Sequence, residues 1–318
     1  MPKLGRKTKL LLAGAIVLGI MAISGLFFPV PRPDVHLAAN YDDPFVKLGP
    51  IWITNTLIAS WLSIVVLIGL FWLGTRKMRL VPSRLQAFVE LVVETLLNFV
   101  ESVAGRDNGR RFFPVVATIF LYVLMNAWLG LLPIFNFIGT MDPHALPSPS
   151  ALFPGEYSGT MIHTPLFRGA NTDINLPLML ALVSFFCVEY WGVTALGVRN
   201  YVGKFVRMGR VKQGFADFTK GRLKAALGSI LFGFIDLFVG ALETLGEFVR
   251  IISFTFRLFG NMMAGEILLL MMAFLIPWLL ASIFYGLETV LGLIQAVIFG
   301  ALTLVFATMA VMPHEQEH

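Results

Sequence analysis

The chain is divided into long apolar runs, and their length dictates what it can fold into. They cover about residues 10–30, 50–73, 112–135, 175–198, 226–276 and 279–312. A helix rises ~1.5 Å per residue, so about 20 apolar residues span the ~30 Å hydrocarbon core of a bilayer. In lipid, every backbone N–H and C=O needs an internal partner, which leaves helices or closed barrels. A transmembrane barrel requires alternating apolar and polar residues, and these runs are continuous. The expected class is therefore an all-α polytopic membrane protein. The charged fraction, 14%, agrees, since soluble domains carry about 25%; mean hydropathy is +0.79.

The first run, 10–30, follows Lys3, Arg6, Lys7 and Lys9. It reads either as a signal peptide or as an uncleaved first span. With the polar linker behind it, it forms an N-terminal segment, 1–48, ahead of a single membrane domain, 49–318. Ordinary spans are expected at about 50–73, 112–135 and 175–198. Between residues 83 and 104, Leu85, Phe88, Leu91, Val92, Leu96, Phe99 and Val100 recur at helical spacing, with Glu90, Glu94 and Glu101 between them. That pattern predicts an amphipathic helix on the membrane surface. A Pro/Gly/Ser-rich loop spans 136–172, and a basic loop 199–224.

Basic residues set the orientation. Four precede residue 10, four lie in 76–84, three in 106–111 and eight in 199–224, so 19 of the 24 fall in these segments. Arg32, Lys47 and Arg168 lie in the intervening loops. The positive-inside rule places the 19 in the cytoplasm. The loops holding Asp34, Asp142, Glu156 and Asp173 then face outward, and the tail Met312–His318 returns to the cytoplasm if the last two long segments form a hairpin. The pI near 9.4 is thus assigned to orientation rather than to nucleic acid. Cys187 is the one cysteine, which excludes an internal disulfide and a Cys-based metal cluster. The phosphate loop G-x-x-x-x-G-K-[ST] is absent, so no nucleotide site of that type is expected.

The stretch 226–276 is too long for a simple span: about fifty helical residues would measure ~75 Å. Proline is absent from it until Pro277. A long, steeply tilted helix is expected, followed by a turn and a second long helix, 279–312, the pair lying across another membrane object. Measured from Glu243 at ~100° per residue, Asp236 falls at about +20°, Glu247 at about +40°, Arg250 at about −20°, Arg257 at about −40° and Asn261 at about 0°. One narrow stripe of an apolar helix therefore carries six polar residues. Glu247 and Arg250, three apart, are spaced to pair locally. An intramembrane arginine costs roughly 2.5–3.5 kcal/mol even on the lenient insertion scale, so the stripe must face protein or a water-filled cavity. It reads as an ion path, with a structural ion-pair network as the plainer alternative. Glu266, near +140°, points into a different environment. On the last helix Glu288 and Gln295 share a face, and Gly292, Ala296 and Gly300 form a small-residue row that permits close helix packing.

The segment Ser253-Phe-Thr-Phe-Arg257-Leu-Phe-Gly-Asn261-Met-Met-Ala-Gly-Glu266 closely resembles the signature of the subunit a family of F-type ATP synthases. Asn126 followed by Leu-Gly-Leu-Leu-Pro133 resembles that family's N-x-x-G-L-x-P element. Asn171-Thr-Asp173-Ile-Asn175 resembles its polar-x-D-x-N element, and Leu293-Ile-Gln295-Ala296 resembles the L-Q-A of its final helix. The resemblance covers roughly residues 45–312. It departs from the family in having glutamates at both 266 and 288, where a carboxylate and a histidine are common. Asn126 is one residue further from its proline, and Gly130 replaces an occasional aspartate.

The resemblance implies two long tilted helices packed against a rotating c-ring. Arg257 matches the essential arginine facing the ring. Glu243, Ser253 and Asn261 match polar positions of the cytoplasmic access path, with Arg250 a basic position of the same helix. Glu266, Glu288 and Gln295 match the outer access path; Asn126, Asp173 and Asn175 belong to the flanking polar elements. It further implies a non-catalytic subunit without cofactor or metal, partnered by the c-ring, peripheral-stalk subunit b and lipid, and passing H⁺ or Na⁺ through two offset half-channels. A stand-alone secondary transporter is the main alternative, but it predicts inverted repeats with paired broken helices, and the chain shows neither. A membrane scaffold is a third reading and leaves the stripe unexplained.

Overall fold

The computed structural model describes residues 51–132, 168–205, 223–275 and 279–312, with short pieces at 7, 12–17, 19–20, 46–48, 139–141 and 162–165. Most of the expected signal or first span, 10–30, most of the outer loop and all of 206–222 lie outside the described residues. The fold is all-α. Its helices are α1 (Asn55–Thr75), α2 (Arg84–Ala104), α3 (Arg106–Gly130), α4 (Asn175–Leu196), α5 (Val198–Phe205), α6 (Leu223–Leu275) and α7 (Leu279–Val311), with a 3₁₀ turn at Ala170–Thr172. Two short antiparallel ribbons, β1 (Val46–Leu48) with β2 (Ile51–Ile53) and β3 (Gly139–Met141) with β4 (Ile162–Pro165), are additions that the apolar pattern does not announce. Among the described residues, five helices, α1, α3, α4, α6 and α7, are long and apolar enough to cross a membrane.

The chain clusters into two compact units. The first comprises residues 1–78, 120–176 and 258–297; the second 79–119, 177–257 and 298–318. Helices α3, α4, α6 and α7 contribute to both, and α6 is divided between Arg257 and Leu258.

In the first unit, α1 is inside-out relative to a soluble helix. Asn55, Thr56, Ala59, Ser60 and Ser63 are buried, whereas Trp61, Val65, Ile68 and Trp72 are exposed. Lipid is as apolar as leucine, so packing in a membrane is driven by small residues and interhelical hydrogen bonds instead of by apolar burial. Here Ser60 and the Tyr122 hydroxyl are 2.6 Å apart, joining α1 to α3. Close approach recurs at Gly292, where an added Cβ would meet the Ala127 Cβ at 2.9 Å. The indole N–H of Trp128 donates to the Thr289 carbonyl at 3.1 Å beside it.

In the second unit, the core gathers Val100, Phe112, Val116, Val188, Trp191, Leu304 and Ala307. Ser83 caps α2 by accepting the Gln86 N–H at 3.4 Å. Along α2, Leu85, Phe88, Leu91 and Phe99 are exposed and Val89 and Val100 buried. Gly105, at φ 77°, takes the left-handed backbone that glycine adopts without steric penalty and lets α3 start at once. Gly197, at φ 79°, does the same between α4 and α5. The short α5 is then pressed in from both sides. A Cβ at Gly192 would lie 2.3 Å from the Tyr201 ring, and one at Gly240 of α6 would lie 2.2 Å from the Phe205 carbonyl oxygen.

Candidate functional site

The apolar helix α6 carries charged residues in the second unit, and α7 completes their surroundings. Glu243, Glu247, Arg250, Ser253 and Arg257 line a cleft of about 440 Å³, whose other wall includes Leu302, Phe306 and Met309. Glu247 and Arg250 pair at 2.5 Å. The Arg250 guanidinium lies over the Phe306 ring, 3.8 Å from its centroid, a cation–π contact that offsets part of its desolvation. Its Nε and Nη1 have no hydrogen-bond partner among the described residues.

Arg257 is different. Its guanidinium is exposed, donates to the Ser253 hydroxyl at 3.2 Å and lies 6.0 Å from the Phe254 ring. No carboxylate pairs with it among the described residues. Phe254 is itself buried against Phe299 and Phe306. The turn that presents Arg257 is thus anchored through Phe254, while the Arg257 side chain stays exposed.

Glu189 of α4 also belongs to this unit. Burial, a hydrogen bond to Glu189 and the Glu189 and Glu247 charges raise the Tyr201 phenol well above its ordinary range, with Arg250 opposing. Tyr201 thus stays a protonated donor towards Glu189. One Glu189 oxygen, Oε1, is buried without a partner among the described residues.

The first unit holds a second polar cluster. Glu288 of α7 is buried. Its carboxylate occupies the space of the missing side chain of Gly265: a Cβ there would meet both oxygens at 2.3 Å. Glu266, the next residue of α6, accepts from Arg168 Nε at 3.4 Å and Nη2 at 3.3 Å. Arg168 is 4% exposed and also contacts the Met263 sulfur at 3.4 Å. Gln295 and Asn126 are buried; the Asn126 amide donates to the Tyr122 carbonyl, and Gln295 Nε2 and Asn126 Oδ1 have no partner among the described residues.

Asp173 and Asn175 form the joint between the 3₁₀ turn and α4. The Asp173 carboxylate accepts the Asn175 N–H and side-chain amide, both at 3.1 Å, and the Thr56 hydroxyl at 3.0 Å. Asn171, beside them, donates to the Val123 carbonyl at 3.5 Å. This turn is thereby tied to α1 and α3.

Of the candidate residues, Glu243, Arg250, Ser253 and Arg257 come together in the second unit. Asn126, Asp173, Asn175, Asn261, Glu266, Glu288 and Gln295 all fall in the first. Asn261 is half-buried there. Glu288 does not sit among headgroups, as a glutamate near a helix start can; it is enclosed by protein. Arg168, Glu189 and Tyr201 were not among the candidates. Arg168 stands in a Pro/Gly-rich loop, where an arginine reads as solvated. Glu189 carried a usable signal, because it is an acidic residue inside an apolar run.

The sequence pattern of the ATP synthase A chain family matches residues 57–308. Several curated relatives are similar over most of the chain. The ATP synthase subunit a of Gloeobacter violaceus is 29% identical over 273 residues, covering 86% of this chain and 90% of the relative. That of Helicobacter acinonychis is 28% identical over 251 residues, 79% of this chain and 87% of the relative. That of Helicobacter hepaticus is 29% identical, with the same coverage.

Proposed function

Because this chain belongs to the ATP synthase A chain family, we propose that it is the ion-translocating stator subunit of an F-type ATP synthase, forming two offset half-channels against a c-ring. Its location is a membrane, given the five apolar helices of spanning length among the described residues.

The observation that carries the reading is Arg257. It is a permanent cation on a long apolar helix, exposed, with a hydroxyl as its polar contact and no carboxylate partner among the described residues. A cation at membrane depth requires an anion. A ring carboxylate passing Arg257 supplies one at each step. Arg257 releases its protons at no accessible pH, so it exchanges partners without carrying the ion itself and blocks a direct leak between the two access routes.

The two polar clusters support those routes. Glu243, Ser253 and the cleft they share with Arg257 serve the cytoplasmic route. Glu266, Glu288, Gln295 and Asn126 serve the outer route, where the amide atoms left without partners among the described residues offer hydrogen bonds to water or a hydrated proton. The transported ion is H⁺, or Na⁺ if the ring selects it. Each charge crossing 100 mV releases about 2.3 kcal/mol, and several crossings drive the formation of one ATP on catalytic subunits elsewhere. The relatives point to a bacterial-type plasma membrane, and the basic segments point to a cytoplasmic C-terminus. Purification through a tag on this chain, in mild detergent, tests the assignment. Recovery of a ring-forming small subunit and a stalk subunit is expected. Recovery of the chain alone, active in ion or solute transport, would instead establish the stand-alone transporter.

A further inference from the structure

The outer cluster contains a residue that the proposed half-channel leaves without a role. Arg168 comes from the loop before α4, yet its side chain is buried and directed at α6, with two nitrogens on Glu266 Oε2 and one on the Met263 sulfur. A buried arginine is costly unless it is paired. The adjoining turn is fixed separately, by Asp173 to Thr56 and by Asn171 to Val123. The carboxylate that Arg168 holds on α6 is Glu266.

Gly265 and Glu288 sharpen the point. The missing side chain at 265 admits the Glu288 carboxylate against α6, one residue from Glu266. A Glu266 side chain without a partner would have several rotamers to choose from. The guanidinium removes that freedom. It approaches from the loop side and holds one oxygen, Oε2, leaving Oε1 clear of its grip.

We propose that Arg168 is the positioning residue of the outer access path, fixing the Glu266 carboxylate so that its other oxygen exchanges protons. The inference rests on the half-channel reading above. Arg168 is not itself a carrier, since guanidinium does not release its proton; it acts through Glu266.

The test uses the intact complex in proteoliposomes, energised by an imposed pH gradient and membrane potential, with ATP synthesis as the readout. Arg168→Gln is expected to lower the rate by between about tenfold and 10²-fold, since misplacing a reacting group by ~1 Å costs up to about 10²-fold. Arg168→Lys, which keeps the charge but loses the planar fork, is expected to recover part of that loss. In a Glu266→Gln background, the Arg168→Gln change is expected to add no further loss, because the group it positions is gone. An equal loss in both backgrounds would make Arg168 a structural residue and overturn the proposal, as would an unchanged rate in Arg168→Gln. If Arg168→Gln fails to assemble, Arg168→Lys decides by the same comparison across the two Glu266 backgrounds. Arg257→Ala, run in parallel, separates the levels. Lost coupling there with a normal Arg168→Gln sinks this inference alone, whereas retained coupling in Arg257→Ala sinks the half-channel reading beneath it.

Discussion

At the scale of single residues, glutamates 266 and 288 occupy distinct chemical settings. Glu266 is tied to Arg168, while Glu288 is packed into the groove that Gly265 leaves open. If Glu288 relays protons, Glu288→Gln should slow proton-driven ATP synthesis by roughly 10²-fold, the usual worth of a positioned acid–base group. Glu288→His should restore part of the rate by supplying another titratable group. Rates equal to the parent in Glu288→Gln would refute the relay. Most candidates that could be read from sequence are polar residues inside an apolar run, where their cost is visible without coordinates; Asp173 and Asn175, before and at the start of a span, came from the resemblance instead. Arg257 is the clearest case. Arg168 lies beyond that logic, because it stands in a polar stretch of sequence and its pairing with α6 is visible only in the fold.

At the scale of elements, α6 is an unbroken helix of 53 residues. Its apolar positions Phe234, Phe238, Phe248 and Ile252, which share one face, remain exposed. A face of that extent in a membrane chain is covered by lipid or by another protein. The absence of proline and the periodic stripe made α6 legible. The short α5 was not legible: its eight residues lie in a stretch whose basic charge reads as a loop, and it is held by glycines on its neighbours. That packing can be tested at Gly240, where a side chain would strike the Phe205 backbone oxygen at 2.2 Å. Backbone does not move aside as a flexible side chain does. Gly240→Ala should therefore destabilise by about 1–3 kcal/mol, the ordinary cost of overpacking. It should appear as earlier thermal dissociation of the purified complex, whereas an unchanged melting profile would show that α5 yields freely.

At the scale of the whole molecule, the class followed from run length alone, since ~30 Å of hydrocarbon leaves continuous apolar runs one solution. Orientation rests on the distribution of lysine and arginine. Cysteines introduced at Gly209 and Ser158, both outside the described residues, with Cys187 replaced, should react with impermeant reagents from opposite sides of the membrane; labelling from one side would reverse the topology. The central claim is that Arg257 is the fixed charge past which ring carboxylates move. Coupled ATP synthesis in vesicles carrying Arg257→Ala, with assembly of the complex verified, tests it most directly. The account predicts no synthesis above background at any imposed driving force, and also none in Arg257→Lys. Undiminished synthesis in the alanine variant would contradict it.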